Sequence, residues 1–374
     1  MSTNFINHVY IVKVSKKEYN LNYQINLARQ RRLLHWNVTD AFLQINLKRK
    51  EGSGMIKYIF KRLLIAVPIF IGITFAVFML SSMAPGNIVD QIVGSSDVPM
   101  TEEQIAALNH QYGFDRPVIV QYADWLGDLF HGDLGTSYRN KKPVIDVIGQ
   151  RIVPTLTLTL TSLVLALIVG IPLGLASAYK PKSVWSAIAN FCIYIGSSMP
   201  TFFFSLCLIY LFSVKLSLLP ASGMYNAAGP KTIGVVIQHL IMPSIVLMFN
   251  IVGGFIKQTR ASLLEIMNEE YIKTARAKGL SEIVVVVKHG FRNALIPIVT
   301  QIGLMVPFLV GGAVVVENVF AWPGLGSLMS TSINSRDYPV IMGVAVIISV
   351  VVLLVNILMD IIYAFIDPRI SYDK

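Results

Sequence analysis

The nearest approach to a phosphate-binding loop in this chain is Gly229-Pro230-Lys231-Thr232, and it fails on chemistry. A P-loop reads Gly-x-x-x-x-Gly-Lys-[Ser/Thr], so that successive backbone N–H groups cradle phosphate and lysine follows glycine directly. Here Pro230 separates the two and removes an N–H. No His-Glu-x-x-His pair sets two imidazoles on one helix face, and no Gly-x-Ser-x-Gly turn exposes a nucleophile. The six histidines (His8, His35, His110, His131, His239 and His289) are scattered without ligand spacing, so no metal site is expected. Cys192 and Cys207 would stand ~22 Å apart on a continuous helix, too far to bridge. The chain is therefore not expected to be an enzyme or to bind a cofactor.

The elements that must position anything else are membrane spans. Only 14% of residues are charged, against roughly 25% in a soluble domain, and mean hydropathy is +0.62. Six windows lack Asp, Glu, Lys and Arg and are long enough for a ~30 Å hydrocarbon core: 63–83, 155–179, 187–212, 235–256, 293–316 and 340–359. The third carries Met199-Pro200 near its middle and reads as one kinked span. The expected class is an all-α polytopic membrane protein with six transmembrane helices, bathed in membrane lipid.

Net charge is +10, yet its cations lie beside apolar spans and no basic patch interleaves with aromatics, so no nucleic-acid partner is expected. Lys180 and Lys182, and the seven cations from Lys257 to Arg292, alternate correctly with the N-terminal basic segment to share one face. The loop after the first span is acidic on balance. Both termini and the 257–292 loop are thus expected in the cytoplasm. Residues 1–54 are polar and lack the apolar core of a signal peptide; they read as an extension, or as untranslated if the chain starts at Met55. Residues 55–150 should hold the first span and an extracytoplasmic scaffold. Residues 151–370 should hold five spans and the cytoplasmic loop.

An ion-coupled carrier keeps ionisable groups inside its spans, because a charge there is costly and retained for function. These windows have none; His239, Glu317 and Asp360 sit only near span ends. Gly170-Ile171-Pro172-Leu173-Gly174 has the small-residue spacing that lets helices approach, and reads either as packing or as a gating hinge. Pro200 is open to the same two readings. Glu317 is a candidate for closing an outer gate.

Residues 265–293, EIMNEEYIKTARAKGLSEIVVVVKHGFRN, are the informative loop. Polar Glu269, Glu270 and Lys273 share helical spacing with Tyr271, Ile272, Ala275 and Ala277. Gly279 breaks the pattern as a C-terminal glycine does, and Ser281 can cap a second helix with Glu282 in its first turn. Two readings stand on physics alone: a small rigid knob offered to a partner, or a loop helix lying on headgroups.

Here the chain resembles a known family. Residues 271–280, YIKTARAKGL, followed by His289, Arg292-Asn293-Ala294-Leu295 and Pro297, resemble the EAA loop of bacterial ATP-binding-cassette permeases in its dipeptide/oligopeptide/nickel form. Pro85-Gly86, His131-Gly132-Asp133-Leu134-Gly135-Thr136-Ser137, Ser198-Met199-Pro200, Trp322-Pro323-Gly324, Arg336-Asp337-Tyr338-Pro339 and Asp367-Pro368-Arg369 fit that family's first (B-type) permease subunit in order. Lys273-Thr274-Ala275 stands where the general pattern has Glu-Ala-Ala, and Arg292 where it has proline, both usual for the peptide branch. The resemblance implies a type I importer fold and a coupling helix docked on an ATPase through Glu270, Tyr271, Thr274, Ala275, Arg276, Ala277 and Gly279. Tyr271, Ala275 and Ala277 would form the apolar docking face, and Arg276 would pair with the ATPase. It also implies a second homologous permease, two cytoplasmic ATPases that hold ATP and Mg, and an extracytoplasmic solute-binding protein. Peptides are the expected cargo; nickel, metal chelates and glutathione are the family's alternatives.

Overall fold

The computed structural model describes residues 60–366 except 84–85, 95–99, 227–228 and 230. The expectations for residues 1–54, Met55, Pro85, Pro230 and Asp367-Pro368-Arg369 lie outside the described residues. The chain divides into two units, the first including the described residues 60–65 and the second beginning at Ala66. The first is described only by its helical residues 60–65, and all other described residues belong to the second.

Every regular element among the described residues is a helix. Helix α1 covers 60–83, and the scaffold follows as α2 (Ile88–Gly94), α3 (Glu102–Tyr112) and α4 (Val118–Phe130). The long helices are α5 (Val144–Tyr179), α8 (Ile233–Ile266), α11 (Arg292–Val319) and α13 (Tyr338–Ile366). Between them lie α6 (Val184–Ser198), α7 (Thr201–Leu208) with a π-helical turn Ile209–Lys215, α9 (Glu270–Ala277), α10 (Glu282–Val284) with a π-helical turn Val285–Phe291, and α12 (Leu325–Asn334).

The apolar windows sit inside these helices, but the helices outrun them. α5 begins eleven residues before its window, running through Gly149 and Pro154, and α8 ends ten residues after its own. Among the described residues, four helices alone are long and apolar enough to cross a membrane, and six spans result if each bent pair counts as one. The third span is not the kinked helix expected: α6 and the α7 segment meet at 113°. Pro200, at the N-cap of α7, forces the break, since it has no N–H to continue α6. The chain still runs between opposite ends of the bundle. It leaves the Lys180 end of α5, and its Gly223 N–H reaches the Phe320 carbonyl (2.7 Å), beside Trp322, whose indole N–H bonds the Pro154 carbonyl near the other end of α5.

α8 is the axis of the core. Its Val252, Phe255, Ile256 and Thr259 face α5, where Gly170 and Gly174 permit close approach. A Cβ at Gly170 would lie 2.9 Å from that of Phe255, and one at Gly174 2.6 Å from that of Thr259. On another face a Cβ at Gly196 would overlap the Phe249 carbonyl oxygen. Large apolar side chains elsewhere on the spans point outward, among them Leu160, Ile168, Phe191 and Tyr194. In water that would be unfavourable; in hydrocarbon it is the solvated face. α1 is the extreme case, with 6% of its apolar window buried in this chain against 56% for α8.

The scaffold is packed, as its aromatic content suggests. Tyr122 of α4 meets Phe78 of α1 edge-on, Trp125 lies tilted against the same ring, and the Tyr122 hydroxyl reaches Thr74 (3.0 Å). A capping box at Thr101 and Gln104 starts α3, and Gly113 at φ +74° ends it. The buried Asp337 carboxylate accepts from Ser137 Oγ (2.5 Å), Tyr138 N (2.9 Å) and Arg139 N (3.3 Å), fastening the scaffold to the start of α13. Burial, then the Asp337 charge, pushes the Tyr138 phenol up to about 12, so it stays neutral.

Gly174→Val should therefore wedge α5 from α8 and destabilise the protein by about 1–3 kcal/mol. Gly149→Ala, with open space around its Cβ position, should be neutral or slightly stabilising. Thermal midpoints of the detergent-solubilised protein followed by tryptophan fluorescence check both; equal midpoints would contradict the close approach.

Candidate functional site

Beyond its apolar window α8 continues to Ile266 and hands over to α9 through Met267 and Asn268. Ile272 and Ala275, one turn apart, are buried against Val285, with Ile266 and Met267 beside them. This small apolar floor makes the loop a folded knob. Tyr271, Thr274, Arg276, Ala277 and Lys278 are exposed around it. Ala275 thus lies on the inner face rather than the docking face expected for it. The residue that sequence reasoning missed as an anchor is Ile272; its i, i+3 spacing to Ala275, with a valine run just beyond, was the available signal.

Gly279 has φ +77°, and no atom lies within 4 Å of a Cβ built there. The position needs glycine for its backbone, not for space. Its N–H bonds the Arg276 carbonyl (2.9 Å), closing α9. Ser281 precedes α10 but its hydroxyl makes no capping bond, unlike the expectation. Arg276 is not free either: Nε and Nη2 reach the two Glu282 oxygens at 2.7 and 3.4 Å, spanning the glycine turn. The pair is 42% and 44% exposed, so its contribution to stability is small, about 0–1 kcal/mol; its effect is to orient the guanidinium. Lys273 Nζ pairs with Glu270 Oε1 (2.6 Å), and Thr274 Oγ1 donates to the Glu270 carbonyl (3.0 Å). Asn293 Nδ2 donates to the Tyr271 hydroxyl (2.7 Å), tying α9 to the first turn of α11. Gly290, in the second π-helical turn, lets that turn press on Leu263 of α8. Any push on the knob is thus delivered to α8 and α11 together.

The other candidates fall elsewhere. Gly170 and Gly174 are contact points between α5 and α8, and α5 passes through Pro172 as one continuous helix. Pro200 sits at the 113° break. Glu317 is fully buried at the opposite end of the bundle from the knob. Its Oε1 accepts from Thr155 Oγ1 (2.7 Å) and its Oε2 from Ser327 N (2.9 Å), while Thr155 Oγ1 accepts from Leu325 N (2.7 Å). The carboxylate and Thr155 together cap α12 and staple it to α5 and α11, with the helix N-terminus favouring the negative charge. His239 is likewise engaged, with Ser222, Gly223 and Asn226 as partners. A cavity of about 820 Å³ lies in the scaffold between α1, the α3–α4 turn and Tyr338, and none of its lining residues belongs to the knob.

Apolar helices gathered on α8, a packed scaffold at one end and a stiff knob at the other are the parts of a membrane permease. The chain belongs to the family of binding-protein-dependent transport system inner membrane components: that family's model matches residues 170–372, and the model of its N-terminal part matches residues 55–159. It is 42% identical over 319 residues to the oligopeptide transport system permease protein AppB of Bacillus subtilis, a match covering 85% of this chain and all of that protein. It is 36% identical to the dipeptide transport system permease protein DppB of Alkalihalophilus pseudofirmus, and 38% identical to the glutathione transport system permease protein GsiC of Salmonella typhi, each over 85% of this chain and the whole relative. The chain is a multi-pass permease subunit of an ATP-binding-cassette importer, and not itself the ATPase.

Glu317→Ala should leave Thr155 and the α12 N-terminus unpaired in a buried site, destabilising the protein by about 1–3 kcal/mol or more. Glu317→Gln, which keeps one of the two acceptor oxygens and fills the same space, should cost less. Thermal midpoints of the two variants against the parent decide it; a fall no larger for alanine than for glutamine would refute the staple.

Proposed function

We propose that the chain forms half of a heterodimeric pore for di- or oligopeptides, with a second homologous permease as the other half. Two cytoplasmic ATPases, which bind ATP and Mg, close on each other and push the knob; an extracytoplasmic solute-binding protein delivers cargo to the scaffold. In this reading both termini and the knob are cytoplasmic, in a bacterial inner membrane, as the distribution of lysine and arginine favours. The observation that carries the coupling role is the knob itself. A helix whose inner face is fixed by Ile272 and Ala275, and whose outer side chains are held in place by the Arg276–Glu282 and Asn293–Tyr271 bonds, transmits a push without deforming. A helix adapted to headgroups needs no such bracing. Glu270, Tyr271, Thr274, Arg276 and Ala277 would meet the ATPase, Ala275 would support them from below, and Gly279 would hold the turn. The scaffold cavity, rimmed by Asp90, Asp124 and Asp128 beside Tyr112 and Tyr138, would receive the binding protein. Peptide cargo is supported by the relatives matched over their whole length. Glutathione, itself a small peptide, is the second reading, supported by the similarity to GsiC.

The experiment is uptake of labelled short peptides and of glutathione by cells with and without the gene, with and without ATP depletion. Peptide uptake that requires both is expected; uptake of glutathione alone would move the cargo to the second reading, and uptake indifferent to ATP would overturn coupling. Gly279→Val forces a branched residue into a left-handed conformation at about 1–2 kcal/mol. It should reach the membrane at normal levels yet lower uptake tenfold or more (by order of magnitude) while ATP hydrolysis continues, and Gly279→Asn should restore part of it. Normal uptake by the valine variant would sink the assigned role.

A further inference from the structure

Neutral polar side chains are scattered through the spans, and most are disposed of locally. Thr159, Ser162, Ser177, Ser205, Thr300 and Ser349 each donate to a carbonyl three or four residues back in the same helix. That is how a hydroxyl is hidden in hydrocarbon. Carboxamides carry two donors and an acceptor with two lone pairs and cannot be hidden this way.

Two carboxamides stand out at matched depth in neighbouring helices. Three faces of α8 can be told apart by their contacts. Val252, Phe255, Ile256 and Thr259 serve α5, and Phe249 and Gly253 serve α6. The row left over is Asn250, Gly254 and Gln258, spaced i, i+4, i+8, and all three are half-buried rather than sealed. Asn250 meets only Thr201 of α7, with Oγ1 at 3.3 and 3.5 Å from its amide atoms, at the weak limit of hydrogen bonding. Gln301 of α11 lies over Gly254, its Nε2 2.9 Å from where a Cβ would stand, and it has no hydrogen-bond partner among the described residues. Glycine at 254 leaves room for that carboxamide. Beside the row, the break at Pro200 turns α7 away from the line of α6 and puts Thr201 at the same level.

We infer that Thr201, Asn250 and Gln301 form a polar binding site inside the spans for the amide groups of a solute in transit, an assignment of ligand that rests on the peptide reading above. The chemistry selects the class. Neutral groups with both donors and acceptors match a peptide bond, which needs one of each, and attract neither a cation nor a carboxylate strongly. They are also indifferent to side chains, so the site recognises the backbone shared by all short peptides. The remaining hydrogen-bonding capacity of Asn250 and Gln301 is what the solute would occupy.

The test uses the complete transporter, with its partner subunits, in proteoliposomes. In a background of Cys192→Ala and Cys207→Ala, Gln301→Cys and the outward-facing control Ile168→Cys are treated with a membrane-impermeant methanethiosulfonate during ATP-driven turnover. Modification of Gln301→Cys but not Ile168→Cys is expected, slowed by saturating Ala-Ala-Ala. Separately, Asn250→Leu and Gln301→Leu should raise the KM for Ala-Ala-Ala roughly fivefold or more, and Gly254→Ala should raise it less, by displacing the Gln301 carboxamide. An unreactive Gln301→Cys, as burial against the second permease would produce, or an unchanged KM in both leucine variants overturns the site. Failure of the parent transporter to take up Ala-Ala-Ala overturns the peptide reading and the ligand assignment with it, while the labelling result still decides whether Gln301 lines the path.

Discussion

Between Gly170 and Gly174 the backbone of α5 lies so near α8 that a methyl group on either glycine would press into Phe255, Val252 or Thr259. Helices in hydrocarbon gain little from burying apolar surface, because lipid is as apolar as leucine; they associate by fitting closely. This contact is therefore a condition for the core and not an addition to it. Once α5 and α8 are seated, α6 can lay Gly196 on the Phe249 carbonyl, and α11 can bring Gln301 over Gly254. The same seating holds Pro154 and Thr155 at the far end of α5, where Trp322 and Glu317 find them. At the other end it holds Leu263 where the turn after α10 leans on it.

α8 has a different task along each part of its length. Near its start His239 ties it to the loop at Ser222 and Gly223, its middle carries the half-open polar row, and its last ten residues leave the apolar window to carry the knob. A helix of 34 residues is about 51 Å long, and α8 is continuous through Pro243, so a tilt imposed at Ile266 is felt at the polar row without an intervening joint. A sharp joint stands beside it, at Pro200. A stiff member beside a broken one is an arrangement in which a push changes the space between them.

The apolar windows were legible because lipid forbids charge within them, and that rule is local to each stretch. Helix ends were not legible to the same degree. Residues 144–154 and 257–266 are polar enough to leave the membrane yet stay helical, the first stretch even through Gly149 and Pro154. Pro200 announced a break, but its angle depends on how Gly196 and Thr201 meet α8, some fifty residues on. The knob was readable as helix, glycine and helix. Its faces were misassigned at Ala275 because the spacing of apolar residues does not say which of two apolar faces has a floor; Val285, across the glycine turn, supplies it. Glu317 was visible as an ionisable residue beside a span. Its partner Thr155 is 162 positions away, and no local pattern joins the two.

The fastening of the scaffold to α13 also bears on how such a chain is made. Ser137, Tyr138 and Arg139 are synthesised some two hundred residues before Asp337, the one carboxylate that satisfies all three. Until the last span is inserted, that corner keeps a hydroxyl and two backbone N–H groups without their native acceptor. Completion of the scaffold therefore reports that synthesis has passed Asp337, and a ribosome that stops short of it releases a product whose scaffold is unfinished. A protease patrolling that side of the membrane could recognise the defect without inspecting the spans at all.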